Sequence, residues 1–170
     1  MPVRTGLRVA LLVAIATTIG CDRVTKHVAA TTLAGTAGHS FLADTVRLEY
    51  VENAGGFLSL GADLPVPART AVFTIGSGLA LVFLIGAAIR LRLNGWRLLG
   101  LALFVTGGAS NWIDRALHGT VVDFINVGVG PVRTGIFNVA DVAILFGAAI
   151  VLVAELRRDT RSPSDRSSMC

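Results

Sequence analysis

Charged residues are scarce in this sequence: Asp, Glu, Lys and Arg make up 15% of its 170 residues, whereas 53% are hydrophobic. Soluble domains carry about 25% charged residues. The composition therefore excludes an ordinary soluble domain and indicates an integral membrane protein. The length suits one compact bundle and leaves no room for a second domain.

Cysteine and histidine are also rare. The two cysteines are far apart and the three histidines show no metal-ligand spacing, so neither a disulfide framework nor a zinc site is indicated. We predict no metal and no cofactor. The net charge of +4 comes from arginines scattered between apolar runs, without interleaved aromatic residues. This pattern argues against a nucleic-acid partner, and the basic excess is better used to orient the chain in a membrane.

Four segments are predicted to cross the bilayer as helices, since a hydrocarbon core of about 30 Å needs roughly 20 apolar residues. They are residues 7–30, 70–89, 96–117 and 136–154. The first is the least regular, because only the 13 residues 9–21 are uncharged and the helix must continue through Lys26. A cleaved signal peptide, with TTIGC (17–21) as a lipidation site, is the alternative. The helical apolar pattern beyond Lys26 favours a retained helix.

The placement of arginine predicts the orientation. Nine of the fifteen basic residues lie in the N-terminal tail, the connection 90–97 and the C-terminal tail. The positive-inside rule therefore places both termini in the cytoplasm. The two long connections, 31–69 and 118–135, are then extracytoplasmic.

The extracytoplasmic connections contain one predicted strand, at 45–53, and one segment predicted as a strand or an extended loop, at 119–132. Residues 45–53 alternate apolar and polar side chains, and residues 119–132 are rich in Val and bounded by Gly and Pro. A small sheet over the helix ends is expected. Residues 1–156 form the predicted membrane domain, and the polar, Ser-rich stretch 157–170 is predicted to be a disordered cytoplasmic tail.

In this topology four aspartates fall at the extracytoplasmic side. They are Asp22, Asp114, Asp123 and Asp141. An ionised carboxylate in hydrocarbon is costly, so an intramembrane acid is a functional-site hypothesis by default. Asp22 lies four residues before Lys26, and Asp114 directly precedes Arg115. These two acids are interpreted as structural partners of the cations beside them.

Asp123 and Asp141 differ from the other two, because no Lys or Arg lies within several residues of either. Apolar surroundings raise the pKa of a carboxyl group, and a second carboxylate nearby raises one of the pair further. Two such groups sharing a proton can act as base and acid on one water, as in aspartic proteases. The alternative for Asp123 is an ordinary solvated surface position.

Five short motifs occur in order along the chain: DRVTK at 22–26, NAGGF at 53–57, GGASNWIDR at 107–115, VVDFI at 121–125 and FNVAD at 137–141. With these motifs the chain resembles the lipoprotein signal peptidases (signal peptidase II), bacterial membrane aspartic endopeptidases. The resemblance implies an all-α membrane protein, a four-helix bundle with a small extracytoplasmic β element. It also implies that Asp123 and Asp141 are the catalytic dyad. The other motif positions, which would support or line the site, are Asp22, Lys26, Asn53, Gly55, Asn111, Asp114, Arg115, Asn138 and Ala140.

The same resemblance implies the substrate and the location. The family cleaves diacylglyceryl-modified prolipoproteins just before the lipidated cysteine, at the extracytoplasmic face of the bacterial cell membrane. Membrane lipid is an expected partner, and no nucleic acid or obligate protein partner is expected. Two motifs depart from the common pattern: NAGGF is one residue shorter than N-x-G-A-A-F, and Ser110 stands where glycine is usual.

Two other classes of function remain open from the residues. Buried acids also serve proton relays, so a transporter or proton-conducting subunit is an alternative. The clustering of the acids on one side of the membrane disfavours it. A substrate lipoprotein carrying TTIGC is the second alternative, and the three later apolar segments disfavour it.

Overall fold

Four long helical segments dominate the computed structural model, which describes residues 5–93 and 95–159. They are α1 (Thr5–Thr32), a continuous helix made of α2 (Val66–Arg69), a π-helical turn (Thr70–Gly76) and α3 (Ser77–Arg90), then α4 (Gly95–His118) and α5 (Val139–Asp159). The first three predicted segments each lie within one of these helices. Phe57–Ser59 adds a short 3₁₀ turn.

Two of the helices are apolar and long enough to cross a membrane by length and composition, Val66–Arg90 and Val139–Arg157. Helices α1 and α4 have sufficient length, with 28 and 24 residues. They carry buried charged side chains toward one end, Asp22 and Lys26 on α1 and Asp114 on α4. Crossing by all four, and the orientation of the termini, stay predictions.

A four-stranded antiparallel sheet covers one end of the helices. Its strands lie in chain order: β1 (His39–Phe41), β2 (Val46–Asn53), β3 (Val121–Val129) and β4 (Val132–Arg133). The predicted strand is confirmed as β2, and the segment predicted as a strand or an extended loop forms β3. The flanking strands, of three and two residues, are too short to show an alternating pattern. A β-bulge between Leu48 and Val51 shifts the register of β2 against β3.

An apolar cluster joins the sheet to α1. Ala29 of α1 and Leu33, which directly follows that helix, pack with Phe124 of β3, and Leu48 and Tyr50 of β2 lie against them. Phe124 points toward α1. Because side chains alternate across a strand, Asp123 points to the opposite face of β3. The cluster therefore fixes which way Asp123 points.

Glycines let α4 and α5 approach closely. A Cβ on Gly107 would lie 2.5 Å from the carbonyl oxygen of Ala140, and one on Gly147 would lie 2.5 Å from that of Gly100. Side chains at these positions would force the helices apart. Close packing is therefore the role of Gly107 among the small residues 107–110.

The last helix differs from its predicted bounds. It begins at Val139 rather than at residue 136, because Phe137 exchanges backbone hydrogen bonds with Ile125 of β3. It continues through Asp159, three residues into the segment predicted as a tail. Residues 160–170 lie outside the described part of the chain, so disorder there stays a prediction.

Candidate active site

Asp123 is held between two asparagine side chains. It pairs with Val51 across the β2–β3 ladder, and its side chain is buried. Asn53, at the end of β2, donates from Nδ2 to Asp123 Oδ2 at 2.8 Å, and Asn138 donates from Nδ2 to Asp123 Oδ1 at 2.6 Å. The surface-solvated alternative for Asp123 is therefore wrong: its carboxyl group is enclosed by amides.

Asp141 lies in the first turn of α5 and helps to start that helix. Its backbone N–H donates to Asn138 Oδ1 at 3.0 Å, and the N–H of Asn138 donates back to Asp141 Oδ2 at 3.2 Å. This reciprocal pair is a capping box, which satisfies two of the unpaired N–H groups at a helix N-terminus. Asn111 of α4 donates from Nδ2 to Asp141 Oδ1 at 2.9 Å.

Asn138 therefore links the two unpaired acids predicted from the sequence. Its side-chain amide contacts Asp123 and its backbone amide contacts Asp141. The two carboxyl groups thus contact one residue, although β3 and α5 supply them separately.

Burial raises the pKa of Asp123 to about 6, and the charge of Asp141 adds to the rise. Hydrogen bonds from Asn53 and Asn138 and the charge of Lys26 act in the opposite direction and reduce it. Desolvation is the largest of these effects on the pKa of Asp123. It raises the pKa because burial disfavours the ionised form of a carboxyl group. Asp123 is thus able to carry a proton at mildly acidic pH.

A buried ionic cluster lies behind the two acids. The ammonium group of Lys26 contacts Asp22 Oδ2 at 2.8 Å, Asp114 Oδ2 at 2.7 Å and Asn111 Oδ1 at 2.7 Å. The predicted Asp22–Lys26 pair is confirmed. Asn111 also contacts Asp141, so it connects this cluster to the acid at the start of α5.

Asp22 ties α1 to the two helices that meet at the site. Its Oδ1 accepts the backbone N–H of Ala140 at 2.9 Å, and its Oδ2 accepts the hydroxyl of Ser110 at 2.6 Å. Both Asp22 and Ala140 are fully buried. Ser110, where the family usually has glycine, therefore supplies a donor to a buried carboxylate, a role that the sequence analysis missed.

The predicted pairing of Asp114 with Arg115 is wrong. Asp114 pairs with Arg23 at 2.6 Å and with Lys26, whereas Arg115 donates from Nε and Nη2 to the carbonyl oxygen of Gly55 at 3.2 and 2.6 Å. Successive residues on a helix point in different directions, so adjacent Asp and Arg side chains do not face each other. Arg23 was missed, although it follows Asp22 within DRVTK.

Asn53 also shapes the loop after β2. Its Oδ1 accepts the N–H of Gly55 at 2.9 Å, and its Nδ2 donates to the carbonyl of Gly56 at 2.9 Å. Asn53 therefore forms a turn and also contacts Asp123. A Cβ on Gly55 would lie 2.5 Å from the carbonyl oxygen of Leu60, so this position requires glycine.

Among residues 5–93 and 95–159, no group of three or more His, Cys, Asp and Glu side chains is placed to hold a metal ion. Every residue predicted for the site belongs to one connected set. Asn53, Asn111 and Asn138 contact the two acids. Asp22, Lys26, Asp114 and Ala140 lie behind them, and Arg115 holds the loop at Gly55.

Comparisons with known protein families and sequences give the same family. A family model described as signal peptidase (SPase) II matches residues 14–157. The lipoprotein signal peptidase of Leifsonia xyli subsp. xyli is 31% identical over 166 residues, which cover 92% of this chain and 73% of that protein. The lipoprotein signal peptidase of Methylorubrum extorquens is 42% identical over 87 residues, and that match spans about half of each chain, 50% and 51%.

The fold is also shared with a solved structure. A protein described as a bacterial membrane enzyme superposes with a TM-score of 0.81, at 23% sequence identity, over 96% of this chain and 95% of its own. This likeness concerns the arrangement of helices and sheet.

Proposed function

Because the chain belongs to the signal peptidase II family, we propose that it is a membrane aspartic endopeptidase that processes prolipoproteins. It removes the signal peptide from diacylglyceryl-modified prolipoproteins by cleaving just before the lipidated cysteine. The observation that carries the proposal is that Asp123 and Asp141 both accept hydrogen bonds from Asn138. The proposed function requires no cofactor and no obligate protein partner.

In the proposed reaction Asp123 and Asp141 share one proton. The ionised carboxylate takes a proton from water, while the protonated one donates a hydrogen bond to the scissile carbonyl. A proton then passes to the leaving amine. Since the pair titrates as a unit, acid and base are not assigned to single residues.

The surrounding amides support this chemistry by holding the carboxyl groups in place. Asn53, Asn111 and Asn138 each donate to one of the two acids and are themselves buried. Preorganised groups lose little entropy when the reaction begins, which lowers the barrier. The Lys26 cluster behind them fixes α1, α4 and the start of α5 relative to one another.

The proposed topology has four spans, with both termini in the cytoplasm and the site at the extracytoplasmic face. Two apolar helices of spanning length support a membrane location, and the distribution of arginine supports the direction. A site at the boundary of the bilayer lets the acyl chains of the substrate stay in lipid while water reaches the peptide bond.

The distribution of buried charge disfavours the transporter alternative. The buried ionisable side chains in the described part of the chain are Asp22, Lys26, Asp114 and Asp123. All four lie at the end of the bundle covered by the sheet. A proton pathway across the bilayer requires polar groups at several depths.

The test is cleavage of a lipidated prolipoprotein by purified protein in detergent. We expect Asp123→Asn and Asp141→Asn each to abolish turnover while the folded protein persists, since an amide cannot exchange the proton. The matched control is Asp44→Asn, which makes the same change in a carboxyl group that pairs with Arg47 away from the site. Full turnover by either site variant, or proton flux into liposomes without peptide cleavage, refutes the proposal.

A further inference from the structure

A cavity of about 410 Å³ lies beside the loop that follows β2, between the start of the helix Val66–Arg90 and the end of α4. Its polar lining consists of Arg69, Arg115, His118, Thr70, Thr74 and Thr120. None of the described lining residues is acidic. We propose that this cavity binds an anionic phosphate group, of the kind carried by a phospholipid headgroup. The proposal does not depend on the peptidase activity.

The two arginines provide the charge for such a ligand. Arg69 donates from Nη1 to the carbonyl of Ala62 at 3.1 Å, and Arg115 donates to the carbonyl of Gly55 through Nε and Nη2. A guanidinium group has five N–H donors in a planar fork. These contacts use one donor of Arg69 and two of Arg115, and they fix both side chains. Planar guanidinium groups match phosphate oxygens in two-point contacts.

The depth of the cavity favours a lipid headgroup as the source of the phosphate. Arg69 is the fourth residue of the apolar helix Val66–Arg90, and Thr70 follows it. His118 is the last residue of α4. The cavity thus lies at the ends of two long helices, where its arginines can meet the phosphate of a phospholipid in two-point contacts. With no acidic residue in the described lining, a choline or ethanolamine cation has no partner, so an anionic phospholipid fits better than a zwitterionic one.

Binding there would also stabilise the loop near the acids. Arg115 and Arg69 contact the carbonyl groups of Gly55 and Ala62, near the two ends of the loop 55–62. Asn53, the last residue of β2 and two residues before that loop, donates to Asp123. A phosphate held by both arginines therefore fixes the loop without touching Asp123 or Asp141.

Trp112 provides the measurement. Its indole N–H donates to the carbonyl of Thr74, a lining residue, at 2.8 Å, and the second tryptophan is removed by Trp96→Phe. Protein in neutral detergent is titrated with short-chain phosphatidylglycerol, short-chain phosphatidylcholine and inorganic phosphate. We expect a saturable fluorescence change with phosphatidylglycerol. The affinity for phosphatidylcholine should be at least about tenfold weaker, because its choline cation would meet Arg69 and Arg115 without an acidic partner in the described lining.

Two variants test the site. Arg69→Gln is expected to weaken phosphatidylglycerol binding by about tenfold, and Arg69→Lys, which keeps the charge but not the fork, by less. Arg47→Gln is the control, since Arg47 pairs with Asp44 and does not line the cavity. Thermal unfolding checks that each variant is folded.

Each outcome of these titrations either supports or refutes the phosphate site. If inorganic phosphate binds as tightly as phosphatidylglycerol and Arg69→Gln weakens both, the site is confirmed and its ligand is free phosphate. If the two lipids bind equally, if folded Arg69→Gln and Arg69→Lys both bind like the parent, or if Arg47→Gln weakens binding as much as Arg69→Gln, the proposal is wrong.

Discussion

Replacing Lys26 with methionine removes a cation that joins two buried carboxylates behind the proposed site. Its three ammonium hydrogens match three acceptors, on Asp22, Asp114 and Asn111, at 2.7 to 2.8 Å. Methionine keeps most of the side-chain length, so the variant removes the charge and the donors with little change in packing.

The structure indicates where the loss falls. Asp114 keeps Arg23, whose side chain is 37% exposed. Asp22 is fully buried and keeps only neutral donors, the Ser110 hydroxyl and the Ala140 N–H. Removing one partner of a buried pair costs about 3–5 kcal/mol. We expect Lys26→Met to lower the free energy of unfolding by that amount, chiefly through Asp22.

The assay is unfolding of detergent-solubilised protein by added sodium dodecyl sulfate, followed by circular dichroism. The exposed pair Asp44–Arg47 supplies the control, because its side chains are 44% and 38% exposed. Arg47→Met should cost no more than about 1 kcal/mol. The double variant Asp22→Asn with Lys26→Met should recover about 1–3 kcal/mol relative to Lys26→Met alone, since it no longer leaves that carboxylate unpaired.

A result in which Lys26→Met and Arg47→Met destabilise the protein equally would refute this reasoning. So would a double variant less stable than Lys26→Met alone. Either outcome would mean that Lys26 does not neutralise Asp22 in the folded protein.

Two further predictions follow from the site. The folded state raises the pKa of Asp123 to about 6 and so binds the proton more tightly than the unfolded chain. The free energy of unfolding should therefore fall by roughly 3 kcal/mol as pH rises from about 4 to about 6; unfolding curves measured across that range test this, and an unchanged slope in Asp123→Asn would contradict it. Gly107→Ala places a Cβ 2.5 Å from the Ala140 carbonyl and should cost about 1–3 kcal/mol. Gly86→Ala, with no atom within 4 Å of the added Cβ, should cost nothing, and equal losses in the two variants would show that helix contact is not the cause.

Much of this architecture could be predicted from periodicity. The long apolar runs predicted three helices within a few residues. Alternation predicted β2, and the Val-rich stretch bounded by Gly and Pro predicted β3. The start of α5 could not be found in this way, because Ile136 and Phe137 are as apolar as the helix that follows. The long-range backbone hydrogen bonds between Phe137 and Ile125 keep this stretch extended. The π-helical turn, which aims the Thr74 carbonyl at Trp112, has no sequence pattern either.

In the site, too, contacts within one helix could be predicted and contacts between elements could not. Spacing along one helix correctly paired Asp22 with Lys26, four residues apart. Adjacency in sequence paired Asp114 with Arg115 wrongly, since the partners of Asp114 come from α1. The contribution of Ser110 depends on how α1 and α4 pack, and no property of α4 alone reveals it. The N-x-x-D spacing of Asn138 and Asp141, however, was a capping signal readable from the sequence.

The capping box has an effect on how the chain can vary. Asp141 is at once a member of the proposed reacting pair and an acceptor for an amide that the first turn of α5 would otherwise leave unsatisfied. Selection for a well-formed helix start and selection for chemistry therefore bear on a single carboxylate. A residue without a side-chain acceptor at that position would lose both contributions together, so two separate constraints act against its substitution.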